Sequence, residues 1–506
     1  MKKTVLILAP LLLAVLLLVL AAQLWLRPRV ENQIRQALAG LTSFDGSPVQ
    51  SGVEVLDFSP LTRKLLLRGL ELRMVQPQGP VTYQAAEISL RLPLRAMLAC
   101  TPLRGAALPE TGMAAVAEDL LLLNVSARTS LGKVVMQREE VDTLYADSAL
   151  LRELAEGAKL PDSPGLTYRM GADNIRASFI SVDVPTVNQP VYMSLKEAGL
   201  RNWRGRHMEE ATLTDLRLRI DGQDGLILDS LNQSGIVLPE EALLRRLSRL
   251  FGAPPDQRSM QALFQEMLAA DEPLFRELRL NGLTMPLPKD RAELKTGSFE
   301  WLSSRPARYR INLSGLSLPA VLQGYGLALP GLDTVRLDAD ISIEEQGQDS
   351  ILEKGMVKAA NLGDLRYSLL ISGNTEGMGQ QQALFSQTYG DLKLRFEDHG
   401  LMGRLALMLP PDGRAAAAVF TAAVNNFCAP TTPENRALAA ALETFANRPG
   451  SLDISSTPGR LYSLTEVLGA LAAQNPGALF HAAAQPGAES LERQTARINA
   501  GQSPQP

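Results

Sequence analysis

Apolar and polar residues alternate along much of this chain. Tyr309, Ile311 and Leu313 are separated by Arg310 and Asn312, and Val335, Leu337, Ala339, Ile341 and Ile343 by Arg336, Asp338, Asp340 and Ser342. A two-residue period places successive side chains on opposite faces of a strand, so each segment predicts a strand with one apolar and one wet face. Leu213, Leu216, Leu218 and Ile220, and Leu392, Leu394 and Phe396, show the same habit, with Arg, Thr, Lys and Glu between them. Strands covered by helices on both sides would read as unbroken apolar runs, so the pattern predicts antiparallel sheet with one face in water.

Three strand segments share an internal glycine: Leu67-Arg68-Gly69-Leu70-Glu71-Leu72, Leu280-Asn281-Gly282-Leu283-Thr284-Met285 and Leu313-Ser314-Gly315-Leu316-Ser317-Leu318. A glycine within a strand pattern marks a bulge that bends the sheet, which predicts a curled rather than flat surface. Helices punctuate the strands. Pro239 to Phe251 and Asp256 to Ala269, joined across Ala253-Pro254-Pro255, predict a helical hairpin, and Asp147–Glu156, Pro433–Asn447 and Ser463–Gln474 predict further helices, with Thr432 as a cap for the second of these. The tail from Gln485, rich in Gln, Pro, Gly and Ser, predicts disorder.

Val5 to Leu26 carries no charge and one polar residue, Gln23, with Lys2 and Lys3 ahead of it and Arg27 and Arg29 behind. About 20 apolar residues cover the ~30 Å hydrocarbon core, whereas a cleaved signal usually has a shorter apolar region. A retained anchor is favoured, although Val19-Leu20-Ala21 ahead of Ala22 is compatible with cleavage. Cys100 is the first cysteine, so no lipoprotein-type processing site follows the run. Long domains translocate largely regardless of charge, which predicts a cytoplasmic tail at 1–4, an anchor at 5–26 and the rest outside. Val30, Ile34, Leu38 and Leu41 continue a helical rhythm, read as a stalk over 27–48. Beyond it the expected order is a β-rich region (49–238), the helical hairpin (239–270), a second β-rich region (271–400), a mixed helical region (401–484) and the tail (485–506).

Composition narrows the chemistry. With 506 residues, 45% hydrophobic and 21% charged, the chain folds, while a mean hydropathy of -0.01 with aromatic content of 5% excludes a polytopic membrane protein. A net charge of -4 gives no basic footprint for nucleic acid. Three His and two Cys argue against a zinc or iron-sulfur centre, and no metal or cofactor is expected. Cys100 and Cys428 read either as a long-range disulfide or as two buried thiols, the second being favoured. His207 falls in the basic turn Trp203 to His207, His399 follows Glu397 and Asp398, and His481 reads as part of an Ala-rich helix end. Glu139-Glu140, Glu209-Glu210, Glu240-Glu241 and Glu344-Glu345 are neighbours that a strand would point to opposite faces. Asp221-Gly222-Gln223-Asp224-Gly225 reads as a hairpin turn rather than a calcium loop. The chain has no Gly-x-Ser-x-Gly, His-Glu-x-x-His or Cys-x-x-Cys motif.

One amino-terminal spanning helix, a stalk, then Ser51-Gly52-Val53-Glu54-Val55, Leu65 to Leu72 and Ala86 to Leu94 together resemble AsmA-like envelope proteins. Gly390 to Leu401 and Phe445 to Ile454 are similar to YdgA-like bacterial periplasmic proteins. The resemblance implies an inner-membrane-anchored periplasmic protein, mainly β with α insertions, whose long curled antiparallel sheet handles lipid or supports the envelope. It implies no catalytic residue. This chain departs from larger relatives in being short, which puts a membrane-to-membrane bridge in doubt. The expected partners are the inner membrane through Val5 to Leu26 and phospholipid or another envelope protein, and the groove candidates are Leu313, Leu337, Ile341 and Leu394. The competing expectations are a membrane-tethered hydrolase using His399 with nearby acids, and a structural scaffold of the envelope.

Overall fold

Long antiparallel strands dominate the computed structural model, which describes residues 25–501 apart from 41–42, 45–46, 77–78, 100–110, 130–131, 156–160, 162, 186–189, 252–272, 288–289, 305, 320, 323–326, 347–349, 374–385 and 410–414. The spanning run lies outside the described residues except for Trp25 and Leu26, as do Cys100 and the second helix of the expected hairpin. Among the described residues no helix is long and apolar enough to cross a membrane. Two units divide the chain, residues 1–278 and 279–506.

The first unit runs α1 (Arg27–Gly40), β1 (Ser43–Phe44), β2 (Ser47–Gly52), β3 (Val55–Ser59), β4 (Lys64–Gln76), β5 (Gly79–Arg91), α2 (Leu94–Ala99), β6 (Met113–Thr129), β7 (Gly132–Asp147), α3 (Ser148–Ala155), α4 (Ser163–Arg169), β8 (Met170–Val184), β9 (Val191–Arg204), β10 (His207–Ile220), β11 (Gln223–Val237) and α5 (Glu241–Phe251). From β4 to β11 each strand pairs with the next, all antiparallel. The Asp221-Gly222 turn between β10 and β11 has φ of 54° and 74°, the two left-handed residues that a two-residue hairpin needs. Within the expected helical stalk the helix is α1, which ends at Gly40 ahead of β1 and β2 and docks on the sheet. Leu26 and Val30 of its buried stripe pack with Leu56, Phe58, Leu65 and Leu67, joined by Ile34 and Leu38. Apolar area removed from water is worth about 25 cal/mol per Å², so this stripe holds α1 against β3 and β4 rather than leaving it free.

One row across these strands bends them all. Gly69, Ala86, Asn124, Gln137, Phe179, Lys196, Asp215 and Asp229 stand opposite one another from β4 to β11, each bracketed by paired neighbours in unbroken register. On alternate strands the residue in this row is left-handed: Gly69, Asn124, Phe179 and Asp215 have φ of 62°, 51°, 53° and 54°. Such a residue breaks the two-residue alternation, so apolar positions step by three across the row: Leu67 to Leu70, Ala85 to Ile88, Leu122 to Val125, Ala177 to Ile180, Leu213 to Leu216. The crease thereby bends the sheet while keeping one face apolar from end to end.

β12 (Glu277–Leu287) begins at the end of the first unit. The second unit continues with β13 (Asp290–Ser304), β14 (Ala307–Pro319), β15 (Val321–Leu322), β16 (Leu327–Ala328), β17 (Thr334–Glu345), β18 (Ser350–Ala359), β19 (Gly363–Ser372), β20 (Thr388–Asp398), α6 (Leu401–Leu407), α7 (Ala416–Phe427), α8 (Pro433–Asn447), β21 (Ser451–Ser456), β22 (Leu461–Ser463), α9 (Leu464–Ala472), β23 (Phe480–Gln485) and α10 (Leu491–Asn499). β13, β14, β17, β18, β19, β20, β21 and β23 pair in that order, all antiparallel. Gly282 and Gly315 of the repeated segments are left-handed, with φ of 64° and 65°; the register of β14 against β17 shifts between Leu313 and Leu316, a bulge at Gly315, whereas at Gly69 the register runs unbroken. Thr432 caps α8, its hydroxyl accepting from Asn435 N at 3.1 Å, and Ser463 with Glu466 forms a capping box on α9.

Two expectations in this unit are corrected. The tail from Gln485 holds an ordered helix, α10: Leu491 and Ile498 are buried, and Gln494 Nε2 donates to Asp398 Oδ2 at 2.6 Å, tying the helix to the end of β20. His481 lies on strand β23 opposite Ser455, because Phe480, Ala482 and Ala484 alternate inward. Cys428 is a free, fully buried thiol.

Candidate ligand-binding face

Following the register, one face of each unit is apolar. In the second unit Phe299, Ile311, Ile341, Gly355, Tyr367, Leu394 and Ile454 form one row across the strands, and Leu313, Ala339, Val357, Leu365, Phe396 and Leu452 the next. All four groove candidates, Leu313, Leu337, Ile341 and Leu394, share this face, and all four are half-buried. Among the described residues the helices pack on its carboxyl-terminal side, where Phe445 of α8 meets Phe396 edge-on, ring centroids 6.0 Å apart, and Leu438, Ala439 and Cys428 pack with Ala482. Among the described residues no helix packs broadly on β14, β17 or β18.

The apolar face of the first unit is similar. Leu122, Val125, Ile180, Leu213 and Leu216 are half-buried, α1 covers Leu65, Leu67, Ile88 and Leu90 at one side, and among the described residues α3 packs on β7 and α4 on β8 and α5. The opposite faces are rich in charged and hydroxyl side chains paired across strands, such as Arg68 with Glu87 at 3.0 Å and Arg310 with Asp340 at 2.8 Å.

Two acids interrupt the apolar faces. Glu139 takes the position that Ile88, Leu122, Ala177, Ala198 and Leu213 take on neighbouring strands, and burial alone raises its pKa. Its neighbour Glu140 is on the charged face, beside Arg138. Glu353 accepts a hydrogen bond from the Tyr367 hydroxyl, and burial with that acid pushes the phenol up to about 12. The Tyr367 ring lies over Gly355, where a Cβ would come within 2.3 Å of it. Neither acid was singled out as a face residue from sequence; the signal for Glu139 is its place three residues after Met136, in the step shared by every strand of the crease.

His207 is exposed beside the hairpin turn between β9 and β10, and His399 Nδ1 lies 3.8 Å from Asp364 Oδ1 with no serine or cysteine hydrogen-bonded to its ring among the described residues.

A sequence model of a family described only as "Uncharacterized protein" matches residues 356–484. Neither the curated proteins nor the solved structures contain a match to the chain. The matched segment begins on β18 and ends on β23, so it includes Tyr367, Leu394 and the α8 cover but not Leu313, Leu337 or Ile341.

Proposed function

We propose that this protein holds the acyl portion of a lipid on its apolar sheet faces, as a non-catalytic component of the bacterial envelope anchored in the inner membrane through Val5 to Leu26, with its strands on the periplasmic side. The observation that carries the reading is the row of half-buried residues from Phe299 to Leu394, backed by a charged face and, among the described residues, covered by helices at one side. A buried methylene is worth about 0.8 kcal/mol, so an acyl chain lying along such a row gains several kcal/mol without any polar contact. An enzyme site would instead need donors and acids aimed into one concavity. The resemblance to AsmA-like proteins points the same way.

Photoactivatable acyl-chain phospholipid fed to cells tests this. Cross-links are expected on Ile341, Leu394, Ile180 and Leu216, and not on the charged-face residues Arg310 and Arg138. Equal labelling of both faces, or labelling confined to Val5–Leu26, would refute it.

A further inference from the structure

Charged side chains on the outer face of the second unit mostly meet their opposites: Arg308 lies 2.6 Å from Glu344 and Arg310 2.8 Å from Asp340. β19 and β20 break the rule. Arg366 stands directly opposite Arg395, and Lys393, two residues along β20 on the same face, stands diagonal to Arg366. Like charges opposed across a strand pair are destabilising, so a bound anion would relieve the cluster. The chain supplies only part of one: Arg395 turns to Glu397 at 3.0 Å and lies 4.0 Å from Asp453, while Arg366 and Lys393 have no ion pair among the described residues. These side chains border an open depression of about 360 Å³ together with Asp453 and with Ser368 and Ser455, which flank Lys393 in register; Tyr367, Leu394 and Ile454 between them complete its lining. Neither serine hydroxyl has a hydrogen-bond partner among the described residues. With a water taking about 30 Å³ of liquid, the space suits a solvated oxyanion rather than one trapped water.

We infer that this depression binds a phosphate group, with Arg366 and Lys393 as its principal cations and the Ser368 and Ser455 hydroxyls as donors. A guanidinium matches two phosphate oxygens at once, and an ammonium adds a compact charge beside it. In the first unit a second depression on the charged face is lined by Arg128 and Lys133, again directly opposed, with Thr82 and Ser126 beside them, but there Glu71, paired with Arg73, supplies a carboxylate and Lys133 stands opposite Asp183. By register Arg366, Lys393, Ser368 and Ser455 alternate with the apolar row, and the inference does not rest on the acyl-binding reading; either can fail alone.

The full chain in neutral-detergent micelles, dialysed against radiolabelled inorganic phosphate and separately doped with trace phosphatidate, tests the inference. The chain should retain one of these probes. Arg366→Ser with Lys393→Ser should weaken retention at least tenfold, and Arg310→Ser should leave it unchanged. Retention of phosphatidate alone assigns the site to a lipid headgroup, and retention of inorganic phosphate to a soluble ligand; both support a phosphate site. Because the double substitution removes a repulsion, it should melt at or above the native temperature. Retention of neither probe, equal retention by the double variant, or a marked fall in its melting temperature would overturn the inference.

Discussion

Glu139 is the residue whose chemistry most clearly opposes its surroundings. Burial favours its neutral form, so the folded state holds a proton that the unfolded state releases at lower pH. Stability therefore falls as pH rises from the ordinary carboxyl range through the raised folded pKa, the sign that linkage requires when the native state binds more protons. Glu139→Gln should raise the melting temperature at neutral pH, and the gain over native protein should shrink as pH falls toward the ordinary carboxyl range. Melting curves between mildly acidic and neutral pH check this, and a variant less stable than native at neutral pH would contradict it. Gly355 makes the converse case, since its missing side chain seats the Tyr367 ring. Gly355→Ala must push that ring off and break its bond to Glu353, a cost of about 1–3 kcal/mol measurable by denaturant unfolding. Neither role was legible in the sequence, because both depend on what the register brings alongside.

Among elements, the strands and most helices were legible where a local rule sufficed. Alternation from Val335 to Ile343 is β17, Thr432 and Pro433 open α8, and Asp221-Gly222 is the hairpin turn. The crease was half legible: the repeated Leu-x-Gly-Leu segments announced Gly69, Gly282 and Gly315, but Asn124, Phe179 and Asp215 do the same work without glycine. A left-handed conformation costs a bulky residue about 1–2 kcal/mol, so Phe179, exposed and at φ 53°, is strained. Phe179→Gly should therefore stabilise the fold by about 1 kcal/mol, against the loss of about 0.5–1 kcal/mol that glycine causes at an ordinary strand position. Unfolding free energies of that variant and of Ser178→Gly beside it decide the matter; equal losses in both would remove the crease as a strained feature. Helix α10 was hidden because its polar composition outweighs two apolar anchors, Leu491 and Ile498, one on each end.

At the scale of the whole molecule, each unit has one apolar face carried across many strands, with helical cover among the described residues at its side rather than along its length. A closed core and an open binding face respond differently to charge. An unpaired charge in a closed core costs several kcal/mol, enough to unfold a domain of ordinary stability, whereas a half-buried position lets the new carboxylate reach water. Ile341 is the position that separates the two, being half-buried between Ile311 and Gly355 on neighbouring strands. The decisive measurement is the amount of lipid copurifying per chain, taken with the melting temperature, for native protein and Ile341→Asp. An open acyl-binding face predicts a variant that melts within a few degrees of native and carries substantially less lipid. A variant that fails to fold, or one that folds and retains the native complement of lipid, would contradict it.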